Sequence, residues 1–209
     1  MRRLLATASA RAAVKLISVR EPSAATLPCG AAHRSADDEW RGEPLIPDII
    51  KASPGATVYA CDVRGIGESQ PNTCGANQFL APYASHYFYA AHGLMLGRPL
   101  LGQRTHDVLR AIDWLIECGH EEVHLAGRGW GALPAAFAAL LHGKVTQVTL
   151  RHALGSYAEL LADADHDWPG AMLLPEVIAR FDLPEVYAAL QPKRLQNLEP
   201  WGARDGMKA

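Results

Sequence analysis

Nothing in these 209 residues approaches the roughly 20 consecutive apolar residues that a membrane-crossing helix requires. Neither sign of charge is in excess: 20 Lys and Arg stand against 22 Asp and Glu, for a formal net charge of -2. That balance removes the electrostatic argument for nucleic acid or an anionic membrane surface. Cysteine is scarce. Cys29, Cys61, Cys74 and Cys118 lack CxxC spacing, which excludes a zinc ribbon and argues against a disulfide framework. Only Cys61 and Cys74 invite a bridge; otherwise the four read as thiols of a reducing compartment, so a cytoplasmic location is expected. Against these absences, 49% hydrophobic and 20% charged residues are the balance of a globular chain, with length for one domain.

The first twenty residues carry Arg2, Arg3, Arg11, Lys15 and Arg20 and no acid, in the manner of a targeting presequence. Arg11 interrupts any signal-like apolar core, so residues 1–30 are read as a divergent or flexible start and 31–209 as the domain. From residue 44 the pattern alternates strand-like and helix-like segments, which predicts an α/β fold with a mostly parallel sheet and helices on both faces. A short helix is expected over Pro44 to Lys51 and a buried strand over Thr57 to Cys61, with a loop at 70–81 and a helix from Tyr83 to Leu96. The strongest helical signal runs from Gly102 to Cys118, where Val108, Leu109, Ile112, Leu115 and Ile116 share one face. Val123 to Ala126 reads as a strand and Val145 to Leu150 as the next. Between them lies a helix with Leu133, Phe137, Leu140 and Leu141 on one side and Pro134 in its first turn. Residues 155–192 read as a helical lid, and Arg194 to Leu198 as a last strand.

Two turns carry chemistry. Asp62-Val63-Arg64-Gly65-Ile66-Gly67-Glu68-Ser69 leaves a buried strand, its glycines open backbone angles closed to other residues, and an Asp62–Arg64 bond would brace it. Ser69 reads as a turn residue. The second is Gly127-Arg128-Gly129-Trp130-Gly131, set between a strand and a helix. These turns resemble the D-x-R-G-x-G-x-S turn after the fourth strand and the G-x-S-x-G nucleophile elbow of α/β-hydrolases. Gly102-Gln103-Arg104, Phe181-Asp182-Leu183-Pro184 and Glu199-Pro200-Trp201 extend the likeness over about four-fifths of the chain. The chain is similar to the C-terminal domain of acetylxylan esterase-like and uncharacterised α/β-hydrolase proteins. The resemblance implies a truncated α/β-hydrolase-like fold, a carboxylic-ester hydrolase branch, and a small acyl or acylated-sugar ligand. It implies no cofactor.

The elbow carries Gly129 where the resemblance expects serine. An elbow residue is held in a strained backbone so that its side chain projects into the site; glycine takes that backbone freely, so the turn can outlast its chemistry. The family order is Ser, then Asp or Glu, then His, and no histidine follows His166 in this sequence. Asp205 stands near the expected acid. Gly30 to Ser35 is what would remain of the oxyanion loop. Ser156 and His152, after the strand that follows the elbow, are the candidates for a substitute nucleophile and base, with Cys61 as a further thiol. A weakly catalytic or non-catalytic protein is expected, with an active esterase using a non-standard nucleophile as the alternative. A domain with part of its sheet lost would complete it with a second copy or a companion hydrolase domain.

His120-Glu121-Glu122-Val123-His124 spells a zinc-protease motif. Gly119 ends the preceding helix, however, so the histidines would stand about 13 Å apart along a strand, and no metal is expected. Gly127, Gly129 and Ala132 also fit the G-x-G-x-x-[GA] dinucleotide fingerprint, with Arg151 placed to take an NADP 2′-phosphate. Trp130 would crowd the pyrophosphate in that reading.

Overall fold

The computed structural model describes residues 14–17, 57–65 and 84–206. Its centre is a parallel five-stranded sheet of β1 (Val14–Ile17), β2 (Thr57–Ala60), β3 (Val123–Arg128), β4 (Val145–Arg151) and β5 (Leu195–Leu198), in the order β2-β1-β3-β4-β5. Among the described residues five α-helices accompany it: α1 (Ala84–Met95), α2 (Leu100–Glu117), α3 (Ala132–Leu141), α4 (Tyr157–Ala162) and α5 (Leu183–Leu190). The alternation of strand and helix is thus the α/β pattern the sequence predicts. The expected helix at 44–51, the loop at 70–81 and the oxyanion segment at 30–35 lie outside the described residues, as does the rest of the Asp62 turn beyond Gly65.

One strand was not expected. Val14–Ile17 lies within the residues read as a divergent start, yet it pairs with both β2 and β3 as the second strand of the sheet.

α2, α3 and α5 are the crossovers into β3, β4 and β5, and they pack side by side, α2 on α3 and α3 on α5. Of the expected α2 face, Val108, Ile112 and Leu115 are buried and Leu109 and Ile116 partly so, and Leu101 joins them. α3 differs. Its alanines let the sheet and both neighbouring helices close around it, so Ala132 to Ala139 are all buried, while Leu140 and Leu141 emerge at its end. α5 is no cover over the sheet edge: Leu183, Val186, Tyr187 and Leu190 belong to the core. Its start is fixed by a capping box, in which the Asp182 carboxylate and Glu185 satisfy the first N–H groups reciprocally.

Gly127 faces α3, because a Cβ there would meet Ala132 and Ala135. With side chains alternating along a strand, Leu125 and its β4 partner Val148 share that helical side. His124, Ala126 and Arg128 point to the other face, with Thr149 and Arg151 beside them on β4.

Candidate functional site

From β1 the chain steps to β2 on one side of the sheet, then returns past β1 to β3 and continues outward. The direction of winding therefore reverses between β1 and β3, and the crevice beyond the carboxyl ends of such strands is where open α/β sheets bind ligands. β3 runs straight into it. Its last residue is followed by a 3-10 turn, Gly129–Gly131, and then by α3.

Each part of this turn has a physical reason. A Cβ on Gly127 would stand 2.6 Å from the Gly131 carbonyl oxygen and 2.9 Å from the Ala132 Cα, so only glycine allows α3 to start so close to β3. Gly129 takes φ 52°, the left-handed conformation of an elbow, at no steric cost. Trp130 turns into the protein, where its indole N–H donates to the Gly206 carbonyl at 2.9 Å. The turn after β3 thus has a left-handed step at Gly129, and its central residue offers no nucleophilic atom.

The neighbouring strands end alike. Arg128, Arg151 and Leu198 are the last paired residues of β3, β4 and β5. One residue beyond them stand Gly129, His152 and Glu199, at φ 52°, 56° and 47°. Three consecutive strands therefore leave the sheet through the same left-handed step, with the elbow position, a histidine and an acid in a row. His152 Nε2 donates to Glu199 Oε2 at 3.0 Å, and Arg151 Nη2 donates to the same oxygen at 2.8 Å. The imidazole stacks on Trp201, 4.4 Å between centroids and 6° from parallel. Burial pushes His152 below its ordinary value; Glu199 pulls it up, and Arg128 and Arg151 push it down again. Bonds from His152 and Arg151 hold the Glu199 carboxyl low. At neutral pH this is a neutral imidazole donating to an ionised carboxylate, the orientation in which an acid fixes a base. Its Nδ1 is buried without a hydrogen-bond partner among the described residues.

Glu199 was not singled out from the sequence as an acid, although it is the first residue after the last strand. Asp205, which was, accepts from the Gly202 N–H at 2.9 Å and closes the turn between them. Ser156 caps α4: its hydroxyl accepts from the Ala158 and Glu159 N–H groups and donates to Asp182. Burial works to raise the Asp182 carboxyl, but bonds from Ser156, Leu183, Tyr157 and Ala158 outweigh it and hold the group low. The structure thus joins His152 to Glu199, and Ser156 to Asp182. Cys61 is a free thiol that burial, aided by Asp62 and Asp107, pushes up to about 11. Arg151, the residue weighed for a 2′-phosphate, is engaged by Glu199.

In the turn after β2, Arg64 binds Asp107 of α2: its main-chain N–H donates to Oδ2 at 3.0 Å, Nε to the same oxygen at 2.7 Å, and Nη2 to Oδ1. Nη1 also reaches Gln103 at 2.7 Å. Beneath the turn lies Arg104, fully buried, with its Nε directed to the Arg64 carbonyl at 3.3 Å. Burial pushes this guanidinium down to about 10, against an upward pull from Asp107.

The zinc-protease spelling dissolves into two unrelated contacts. His120 Nε2 meets the Tyr59 hydroxyl at 3.2 Å, and buried His124 shares a 2.7 Å hydrogen bond with Thr149. Among the described residues no group of three or more His, Cys, Asp or Glu is placed to hold a metal ion, and no helix is long and apolar enough to cross a membrane.

No protein-family profile and no curated protein sequence matches the chain. Among solved structures it is similar to a Bacteroides fragilis protein assigned as an acetyl xylan esterase, at 16% identity and a TM-score of 0.68 over 91% of this chain. The match covers 53% of that protein, so the chain spans about half its length. A Thermoplasma acidophilum protein assigned as a CIB-like hydrolase aligns over 97% of this chain and 82% of its own, at 14% identity and a TM-score of 0.38. The first likeness shows that the chain shares the fold of that protein, an α/β fold built on a mostly parallel sheet.

Proposed function

We propose that the chain is an α/β-hydrolase-fold protein of the carboxylic-ester, acetyl esterase-like branch that is non-catalytic or at most weakly catalytic. One observation carries this reading: the elbow keeps its left-handed backbone at Gly129 and has no side chain there to attack an acyl carbon. Losing a triad serine costs on the order of 10⁶ in turnover. Ser156 does not meet that loss, since its hydroxyl is committed to capping α4 and to Asp182, and His152, oriented by Glu199, would be a base with no serine at Gly129 to serve. The ligand class carried over from the esterase likeness is a small acyl compound or acylated sugar. A second copy or a companion hydrolase domain is the partner class that goes with this reading.

The test is p-nitrophenyl ester turnover by the wild type and by Gly129→Ser. Turnover at the buffer rate is expected for the wild type, and only a weak gain on adding serine, because no histidine follows β5 to serve as base in the family's order. Wild-type turnover that survives repurification and disappears on mutating Ser156 or His152 would overturn the reading.

A further inference from the structure

A cavity of about 420 Å³ opens at the start of α2, lined by Arg64, Arg98, Pro99, Gly102, Gln103 and His106 and by none of the elbow residues. Pro99, Gly102, Gln103 and His106 follow one another at i, i+3, i+4 and i+7, so they form one stripe of the helix. Gly102 leaves the floor of that stripe open: beyond its own helix, a Cβ there would meet only the Pro99 Cγ within 4 Å, at 3.8 Å. The two arginines come from other segments, Arg98 from the corner between α1 and α2 and Arg64 from the turn after β2.

Both arginines stand on fixed main chain. The Arg98 N–H donates to the Gly93 carbonyl at 2.6 Å, and the Arg98 carbonyl accepts from Gln103 Nε2 at 2.7 Å. The Arg64 N–H donates to Asp107, and the Arg64 carbonyl accepts from Arg104 Nε. The polar heads around the cavity are not equally engaged. Arg64 gives Nε and Nη2 to Asp107 and Nη1 to Gln103, although 44% of its side chain stays exposed. Arg98 and His106 are exposed, and among the described residues neither side chain makes a hydrogen bond or an ion pair. Asp107 is the carboxylate that His106 acts on electrostatically, and Arg64 already neutralises it. The lining therefore carries the uncompensated charge of Arg98, with donors from three segments around one space. The start of α2 adds to this field, since no side chain caps it and no acid stands in its first turn.

We propose that this cavity binds a small phosphate monoester, its phosphate held among Arg64, Arg98 and His106 and its carbon skeleton lying along Pro99 and Gly102. A planar carboxylate is met by one guanidinium fork, whereas donors that arrive from three segments match oxygens that point in three directions. The site takes no part in ester turnover and stands whether or not Gly129 permits it.

Calorimetric titration of the full chain with inorganic phosphate and with glycerol phosphate, at constant ionic strength against sodium chloride, tests the site. Saturable binding with a Kd on the order of 1 mM is expected for phosphate, and tighter binding for the ester. Arg98→Ala and His106→Gln change exposed side chains, so each variant should fold as the wild type does and bind at least about fivefold more weakly. Gly102→Met fills the floor with a better helix former, so it should hold or raise Tm and lose the binding. No saturable response, a response equal to that with chloride, or unchanged binding in Arg98→Ala and Gly102→Met overturns the site. Phosphate binding with no gain for the ester overturns the assignment to a monoester.

Discussion

β3 and its neighbours β4 and β5 leave the sheet through the same left-handed step and use it differently. At β3 the step falls on glycine and is free. At β4 and β5 it falls on His152 and Glu199, for which such a conformation costs on the order of 1–2 kcal/mol. The strained pair holds one another and Arg151, whereas the relaxed position presents no side chain at all. Strain of this kind persists where surrounding contacts over-determine it, often at ligand sites. The contrast teaches that an elbow's backbone and its chemistry are separable. The close approach of β3 and α3 fixes the first, and a single side chain supplies the second.

The comparison can be broken most forcefully at Gly127. Alanine there forces backbone against backbone, and a loss of about 3 kcal/mol is expected, or roughly 6–12 °C in Tm. Unfolding at the wild-type temperature would mean that strand and helix are not so close. Gly129→Ala puts a Cβ into the left-handed step and should destabilise by about 1–2 kcal/mol in denaturant unfolding; no loss would remove the claim that the elbow backbone is retained. Glu199→Gly relieves strain while losing its bonds, and Glu199→Ala loses the bonds with the strain kept. The alanine variant should therefore melt below the glycine variant, and the reverse order would show that Glu199 is not strained.

The smallest effect is in pH. Folding lowers the His152 pKa, so the folded state binds this proton less readily than the unfolded chain. Its contribution to stability is complete above the ordinary value of 6.5 and is lost as pH falls through the folded value. His152→Gln should flatten that part of the stability profile, and an unchanged slope would assign it to another group.

Much of the fold was readable where its cause is local. α2 follows from an apolar face repeated every 3.6 residues, and the elbow from glycines between a strand and a helix. β1 was missed because Val14 to Ile17 is short, includes Lys15 and sits among arginines; pairing with β2 and β3, residues away in sequence, makes it a strand. The hold of Asp107 on Arg64 was not foreseen for the same reason, since the two lie 43 residues apart. In the site, Gly129 was evident from its motif, whereas the His152–Glu199 pair requires the register of β4 on β5, which no local pattern encodes. Ser156 looked like a free hydroxyl only because the Asp182 that engages it lies 26 residues on.

The central claim is that the elbow has kept its shape without a nucleophile. Intact-mass spectrometry of the full chain after incubation with a fluorophosphonate tests it most directly. The unmodified mass is expected at every time point under native conditions. A single stoichiometric adduct, mapped to any serine and abolished by unfolding the protein first, would show an activated nucleophile and contradict the account.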